Sequence, residues 1–445
     1  MTRADGRNKR WTQKSILYRG ALFAVAIAMG KFLFSSSSSG VGLCTTDESL
    51  SIEPFGTVHP CDCFSETYAE ARTKFREAAK ERGAQLFELT IYQNYTTDIA
   101  YLPNSDSNDL LVHTSGVHGV EGYAGSAIQV ALLKSDDRLA AAAAATTKSK
   151  RPSLLLIHAV NPYGMAHYRR FNENNVDLNR NGIHDFRSVL ERDANLAHYA
   201  DFDEQFNPTK PFRFGFFMEL LPKLVQHGFG HLKQAMVTGQ YHKPTGIFFG
   251  GNKGLESSNA KLHDFVKTFL DETHPPRSPG SKMTWINVHT GLGSSGIDTI
   301  LFDMGCGGDG ACQAKNNEQE VAKVFSESLV PGTSTGGEDV QQGYDLMQGS
   351  TEQLVRALFA APSSPETNNE NDNWLLTQEF GTIPSILVGR ALILENMYHN
   401  HHRAGAKPKT AGASLLKSAF YPRTTKWRRS ILVRGLRIVQ QAMER

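Results

Sequence analysis

Long apolar runs, a charge excess and a dense set of cysteines are all missing from this 445-residue chain. The net charge is only +2, with 21% of residues charged and 40% hydrophobic, as in ordinary soluble globular proteins. No self-similar period of roughly 20–50 residues recurs, which excludes a solenoid or propeller. No stretch interleaves aromatic and basic side chains in the manner of single-strand binders. The small net charge conceals an uneven layout. Residues 1–19 carry six Lys/Arg and residues 403–445 carry eleven, with one acid in each segment. The remainder, 20–402, holds 30 basic and 43 acidic residues, so the body carries −13. The pI of about 8.2 therefore reports the two ends, and nucleic acid is not an expected partner.

One apolar segment stands out, "GALFAVAIAMG" at residues 20–30. It is short for a spanning helix, which needs about 20 residues, and suits the core of a signal peptide better. Widening it to 15–34 reaches spanning length only by including Arg19 and Lys31, which would have to snorkel. A cleaved signal, a signal-anchor that tethers the chain to a membrane, and an organelle presequence all stay open. The expected location is the secretory pathway, secreted or membrane-anchored, with a mitochondrion or other organelle as the alternative. Residues 1–45 are accordingly set apart as a targeting segment and Ser-rich linker. One domain is expected over 46–423, followed by a basic C-terminal helix at 424–445. The five cysteines are Cys44, Cys61, Cys63, Cys306 and Cys312. "CDC" and "CGGDGAC" suit loops stapled in an oxidising compartment. A Cys306–Cys312 bridge leaves one odd thiol among the other three. "NYT" at Asn94 is a glycosylation acceptor on a secretory route.

Within the body, residues 64–83 have helical spacing and end in glycine, and "AQLFELTIYQ" and "NDLLVHTSG" read as strands. "GYAGSAIQVALLKS" reads as a helix, "SLLLIHAVNP" as a buried parallel strand stopped by proline, and "KMTWINVHTGLG" as a buried strand ending in glycines. Further helices are expected near 215–238, 316–328 and 350–360, and a last strand at "WLLTQEFG". Strands alternating with helices predict a single α/β domain, with a mixed, mostly parallel twisted sheet and helices on both faces.

The chemistry gathers at the C-terminal ends of these strands, where open α/β sheets carry their sites. His118 and Glu121 lie three apart on the glycine-rich corner "SGVHGVEGYAGS". An imidazole and a carboxylate at that spacing can share one metal ion, but a lone His-x-x-Glu is a weak signal. His289 ends an apolar strand and is aimed at the same crevice. His158 lies within its strand and reads as a core residue. The loop 161–182 brings Arg169, Arg170, Asp177, Asn179 and Arg180, and the planar fork of arginine suits carboxylates. His227 and His231 lack the Glu of a His-Glu-x-x-His helix and read as surface or core residues. "ENMYHNHHR" at 395–403 reads as a solvated turn. No serine or cysteine is read as a nucleophile of the elbow or Cys–His type.

Taken in order, "SGVHGVEGYAGS", "NPYGMAHYRRFNENNVDLNRN", "GQYHKPTGIFFGG", "INVHTGLG" and "TQEFGT" resemble the zinc carboxypeptidase clan. That clan includes carboxypeptidase A and the succinylglutamate desuccinylase and aspartoacylase branch. The likeness is greatest to a carboxypeptidase-like family of bacteria and eukaryotes, and it spans about 64 to 402. The resemblance implies one Zn2+ held by His118, Glu121 and His289, with Asp177 orienting His118. It implies Arg170 as the residue that polarises the scissile carbonyl, with Arg169 as its rival. Asn179 and Arg180 would hold a substrate carboxylate, and Glu379 would act as general base and acid. Tyr344 is the nearest candidate for a substrate-closing tyrosine, at an unusually long spacing from Glu379. The expected activity is hydrolysis of an amide next to a carboxylate-bearing residue. Its substrate is a peptide or, alternatively, an N-acyl amino acid; a catalytically silent binding protein of the same fold is the rival class. The segment 185–280 is expected to shape or cap the cleft.

Overall fold

The computed structural model describes residues 49–135, 151–274, 281–302, 318–359, 373–401 and 407–445. The chain divides into two compact units, Met1–Asp47 and Glu48–Arg445, and the second holds all of these residues. Residues 20–30, Cys44, Cys306, Cys312 and His402 lie outside the described residues.

The strands are β1 Leu50–Ile52, β2 Gly56–Val58, β3 Gln85–Tyr92, β4 Tyr95–Leu102, β5 Leu110–Ser115, β6 Ser153–His158, β7 Met283–Ser295, β8 Asp298–Phe302 and β9 Asn373–Gly381. The longer helices are α1 Tyr68–Glu81, α2 Gly122–Lys134, α3 Phe216–Thr238, α4 Ser257–Glu272, α6 Ser385–His401, α7 Lys407–Phe420 and α8 Thr425–Met443, with the short α5 Thr351–Arg356 between α4 and α6. Strands β3 to β9 form one mixed sheet in the order β3-β4-β6-β5-β7-β9-β8. The four central strands run parallel, the hairpin β3–β4 is antiparallel at one edge, and β8 is antiparallel at the other. After β5 the chain crosses to β6 on one side and later returns to β7 on the other. The crevice between the ends of β5 and β7 is thus a topological switch point, where such sheets bind ligands.

Alternate residues of the central strands enter opposite cores, as a pleated strand requires. Leu111, Leu154, Leu156, Ile286 and Val288 meet α1, α2 and α8 on one face. Val112, Leu155, Ile157 and Trp285 meet α4 on the other. Each such buried side chain contributes about 1.5–3 kcal/mol relative to leaving it in water. A third cluster, with Phe202, Phe216, Leu232, Phe248, Leu392 and Phe420, joins α3, α6 and α7. In α1 the Thr67 side chain accepts from Glu70 N, and Ala71, Phe75, Ala78 and Ala79 form the buried stripe.

The basic C-terminal segment packs on this body. Trp427 and Leu436 of α8 are buried, Trp427 Nε1 donates to Gly381 O at 2.9 Å, and Arg434 pairs with Asp298 at 2.6 Å. Gly435 lies against Ile128, where a Cβ would stand 2.4 Å from Cδ1, so any larger residue would make Ile128 shift. Glu66 ties this end down by pairing with Lys417, Arg423 and Arg428 at 2.7–2.8 Å.

Three expectations are adjusted. Strand β7 does not stop at its glycines but runs on to Ser295. The histidine-rich stretch is not a turn through His401, since it forms the last turns of α6. The strand β4, missed in the sequence, completes a hairpin whose turn exposes Asn94. Cys61 is disulfide-bonded, whereas Cys63 is a buried free thiol pushed up to about 12, first by burial and then by Asp62. No helix among the described residues is long and apolar enough to cross a membrane.

Candidate metal centre

The corner after β5 explains its glycines. Gly116 has φ +74°, and a Cβ there would come within 3.1 Å of Ala159 Cα. Gly119 lies so close to Gly164 that a Cβ would stand 2.1 Å from its carbonyl carbon. The backbone therefore turns tightly between β5 and α2, and His118 and Glu121 point into the crevice at the switch point.

There they meet His289. His118 Nδ1 lies 3.0 Å from Glu121 Oε1 and 3.1 Å from His289 Nδ1, and His289 Nδ1 lies 3.3 Å from Glu121 Oε2. All three residues are buried, and among the described residues theirs is the one cluster whose ligand atoms converge in this way. Two imidazoles and a carboxylate form a donor set that zinc accepts at about 2.0–2.2 Å. Arms of that length in a tetrahedron give edges of about 3.3–3.6 Å. The observed separations are close to this, so the residues fit a single divalent ion.

Charged groups behind the cluster fix its orientation. Asp177 Oδ1 accepts from His118 Nε2 at 3.0 Å, which leaves Nδ1 for the crevice. Arg170 donates from Nε to Asp177 Oδ2 at 2.9 Å and from Nη1 to Glu121 Oε1 at 3.0 Å. Its guanidinium also lies over Phe248, 5.1 Å from the ring centre. Burial by itself would raise the pKa values of Glu121 and Asp177. The charges and hydrogen bonds of His118 and Arg170 outweigh it and hold both carboxyls well below the usual range. Burial would lower His289, but its hydrogen bond to Glu121 raises it.

Glu379 occupies the position on β9 beside His289 on β7. Its Oε1 accepts from Leu292 N at 2.8 Å, and Oε2 makes no hydrogen bond among the described residues. Burial, followed by the charge of Glu121, pushes this carboxyl up to about 7 against the pull of His289. A carboxyl poised there exchanges protons readily at neutral pH.

Asn179 and Arg180 line the same cleft. Asn179 Oδ1 accepts from Thr351 N at 3.0 Å, so its side-chain NH2 is left to donate. Arg180 is buried, donates to the carbonyls of Asn179 and Val237, and has no hydrogen-bond partner for Nε. No carboxylate among the described residues pairs with it. A cation in that position favours an anionic ligand. Tyr344 lines the cleft too, with its hydroxyl raised first by burial and then by Glu379.

The two neighbouring arginines separate clearly. Arg170 faces the centre, while Arg169 is sequestered in a buried pair with Glu395 at 2.7 Å. His158 is a core residue, stacked on Phe75 at 4.6 Å and bonded to Ser126. His227 turns to Asp201, and His231 stacks on His198. The letters Gly-x-Ser-x-Gly do occur, at 332–336, but on a surface turn with Ser334 exposed rather than between a strand and a helix.

The segment 185–280, expected to shape the cleft, does contribute α3 to its lining, although its individual residues were not singled out. Helix α3 supplies Phe229, Leu232, Met236 and Val237, and α6 supplies Ile386 and Leu392; together with Phe420 they make one side of the cleft largely apolar, with Lys233 as its cation. Beneath it, buried Glu352 accepts from Asn287 at 3.0 Å and from Thr377 at 2.8 Å, and its Oε2 has no partner. In sequence Glu352 reads as an ordinary first-turn acid of α5.

A family model described as a protein of unknown function (DUF2817) matches residues 64–434, and the chain belongs to that family. No curated protein matches it. Among solved structures the chain is similar to a candidate metallopeptidase from Shewanella baltica OS155, with 11% identity, 84% of this chain and 97% of that one covered, and a TM-score of 0.36. It is similar to thrombin activatable fibrinolysis inhibitor, with 12% identity, coverage of 80% and 73%, and a TM-score of 0.38. The murein-tripeptide amidase MpaA from Escherichia coli O157 is a third such structure, with 15% identity, coverage of 74% and 97%, and a TM-score of 0.31.

Proposed function

We propose that this DUF2817 member is a zinc-dependent amide hydrolase, acting carboxypeptidase-like on a bond next to a carboxylate-bearing residue. The observation that carries the reading is the convergence of His118, Glu121 and His289 with Glu379 alongside on the next strand. His118 and His289 through Nδ1, and Glu121 through its carboxylate, would hold the ion. When bound, zinc supplies Lewis acidity toward a carbonyl oxygen and toward water.

The remaining work belongs to this chain's own groups. Glu379 takes a proton from water at Oε2 and returns it to the departing nitrogen. Arg170 keeps Nη2 without a partner among the described residues and donates it to the negative charge developing on the carbonyl oxygen. Asn179 and Arg180 bind the substrate carboxylate and so fix which bond lies over Glu379. Tyr344 lines the same cleft. Deacylation of an N-acyl amino acid uses the same groups, and the apolar side of the cleft favours it as the second reading.

Two measurements test this. Metal analysis of the purified chain is expected to find one zinc per molecule. A screen of peptides with free C-termini and of N-acyl amino acids is expected to find turnover that a chelator abolishes. A chain that binds no metal and turns over neither set would sink the reading and leave a binding protein of this fold, and turnover that persists without metal would sink the zinc dependence.

A further inference from the structure

Helix α3 is two helical segments that meet at Gly228, whose φ of +83° and ψ of 165° are not helical, and neither segment has the polar outer face that a surface helix of a globular protein normally has. Its inner side buries Phe216, Leu220, Leu232 and Ala235. Its exposed positions are Met218, Pro222, Val225, Gln226, Phe229, Gly230 and His231, and the loop before it exposes Lys210, Arg213 and Phe214. Phe214 is 71% exposed, Met218 61%, Val225 54% and Phe229 52%. No exposed position from 209 to 231 is acidic, in a body that carries net −13. Glu219, half-buried at the side, is engaged by Phe214 N at 3.0 Å. Arg213 lies 5.1 Å from the Phe214 ring centre, so cation and ring form one unit.

We infer that this face is an interfacial contact for an anionic lipid bilayer, lying on the membrane rather than crossing it. Exposed phenylalanine and methionine beside lysine and arginine suit the boundary between headgroups and acyl chains. Local positive charge on an otherwise acidic body complements anionic headgroups. A second copy of the chain is the poorer occupant. The four apolar side chains offer on the order of 500 Å2, short of the roughly 800 Å2 per partner in a standard protein interface. Phe229 belongs both to this face and to the lining of the cleft, so the contact lies at the mouth of the cleft.

The test places a reporter on the face of the full-length chain by Met218→Trp. Emission is followed with vesicles of brominated phosphatidylcholine and phosphatidylserine in equal parts. The unsubstituted chain supplies the baseline for its own tryptophans and for any binding through residues 1–45. Extra quenching at position 218 with a blue shift is expected. Lys210→Glu with Arg213→Glu should weaken that component at least about 25-fold, through the roughly fivefold per cation near an anionic surface. Phe214→Ser with Phe229→Ser should weaken it at least as much. No extra quenching over the baseline overturns the inference. So does a blue shift that grows with protein concentration in the absence of lipid, because it assigns the face to a second copy.

Discussion

The floor and the wall of the cleft are built on opposite principles. The floor, at the ends of β5, β7 and β9, is polar and directional: His118, Glu121, Arg170, Asp177 and Glu379 each make at least one hydrogen bond of 2.8–3.0 Å. The wall, from α3 and α6, is apolar apart from Lys233 and offers shape with few directional contacts. Fixed dipoles and charges stabilise developing charge, while apolar surface adds binding that is nearly the same in ground and transition states. Substitutions in the floor should therefore abolish turnover or metal binding, and substitutions in the wall should change affinity alone.

The largest effect is expected at Glu379. Glu379→Gln should retain zinc and lose roughly 10²–10⁴ in kcat, the usual contribution of a positioned acid–base group. His289→Ala should lose zinc and activity together. Metal analysis beside steady-state kinetics checks both. A Glu379→Gln chain that turns over at the parent rate removes this residue from the mechanism and erases the distinction between floor and wall.

Asp177 provides a graded step below that. It reaches the cluster only through His118 Nε2 and Arg170, so Asp177→Asn should weaken zinc binding by about 10–100-fold. Activity should return when zinc is added in excess. Titration with a competing chelator measures the affinity, and unchanged affinity would show that His118 needs no partner to present Nδ1.

The same contrast explains what was legible beforehand. His118, Glu121 and His289 could be singled out by residue type and by their places at strand ends, whereas Glu379, Arg170 and Asp177 received roles only through the ordered set of motifs and the resemblance it carries. Arg169 and Arg170 are adjacent and chemically identical; only the ion pair of Arg169 with Glu395, 226 residues away, separates them. The wall was invisible at residue level, because Leu232, Met236 and Ile386 are the residues any core uses. Glu352 was missed for a related reason: its partners Asn287 and Thr377 lie on two other strands. The central strands announced themselves by continuous apolar runs, whereas β4, with Thr96, Thr97 and Asp98, did not.

The wall itself can be tested by truncation. Met236 and Ile386 line the cleft and are only partly buried, so shortening them costs little stability. Met236→Ala with Ile386→Ala should raise KM roughly tenfold for an N-acyl substrate with a bulky apolar chain, at unchanged kcat. The KM for a short-chain substrate should scarcely move. A fall in kcat would mean that the wall takes part in positioning the scissile bond, and the division drawn above would fail.

Glu66 serves as a control because it lines neither the floor nor the wall. Burial would raise its pKa, but the hydrogen bonds and charges of Lys417, Arg428 and Arg423 lower it overall. A carboxyl depressed on folding contributes stability that is present above its unfolded pKa and is lost as pH falls through the folded one. Glu66→Gln should therefore cost about 1 kcal/mol at neutral pH, with solvent screening keeping the figure small. The cost should vanish in strong acid, where the parent is protonated as well. Urea unfolding of both chains at neutral and acid pH measures the difference, and kinetics at neutral pH should be the same in the two. A difference that stays constant with pH would locate the effect in packing rather than charge, and a change in kcat would show that the C-terminal clamp and the catalytic floor are coupled.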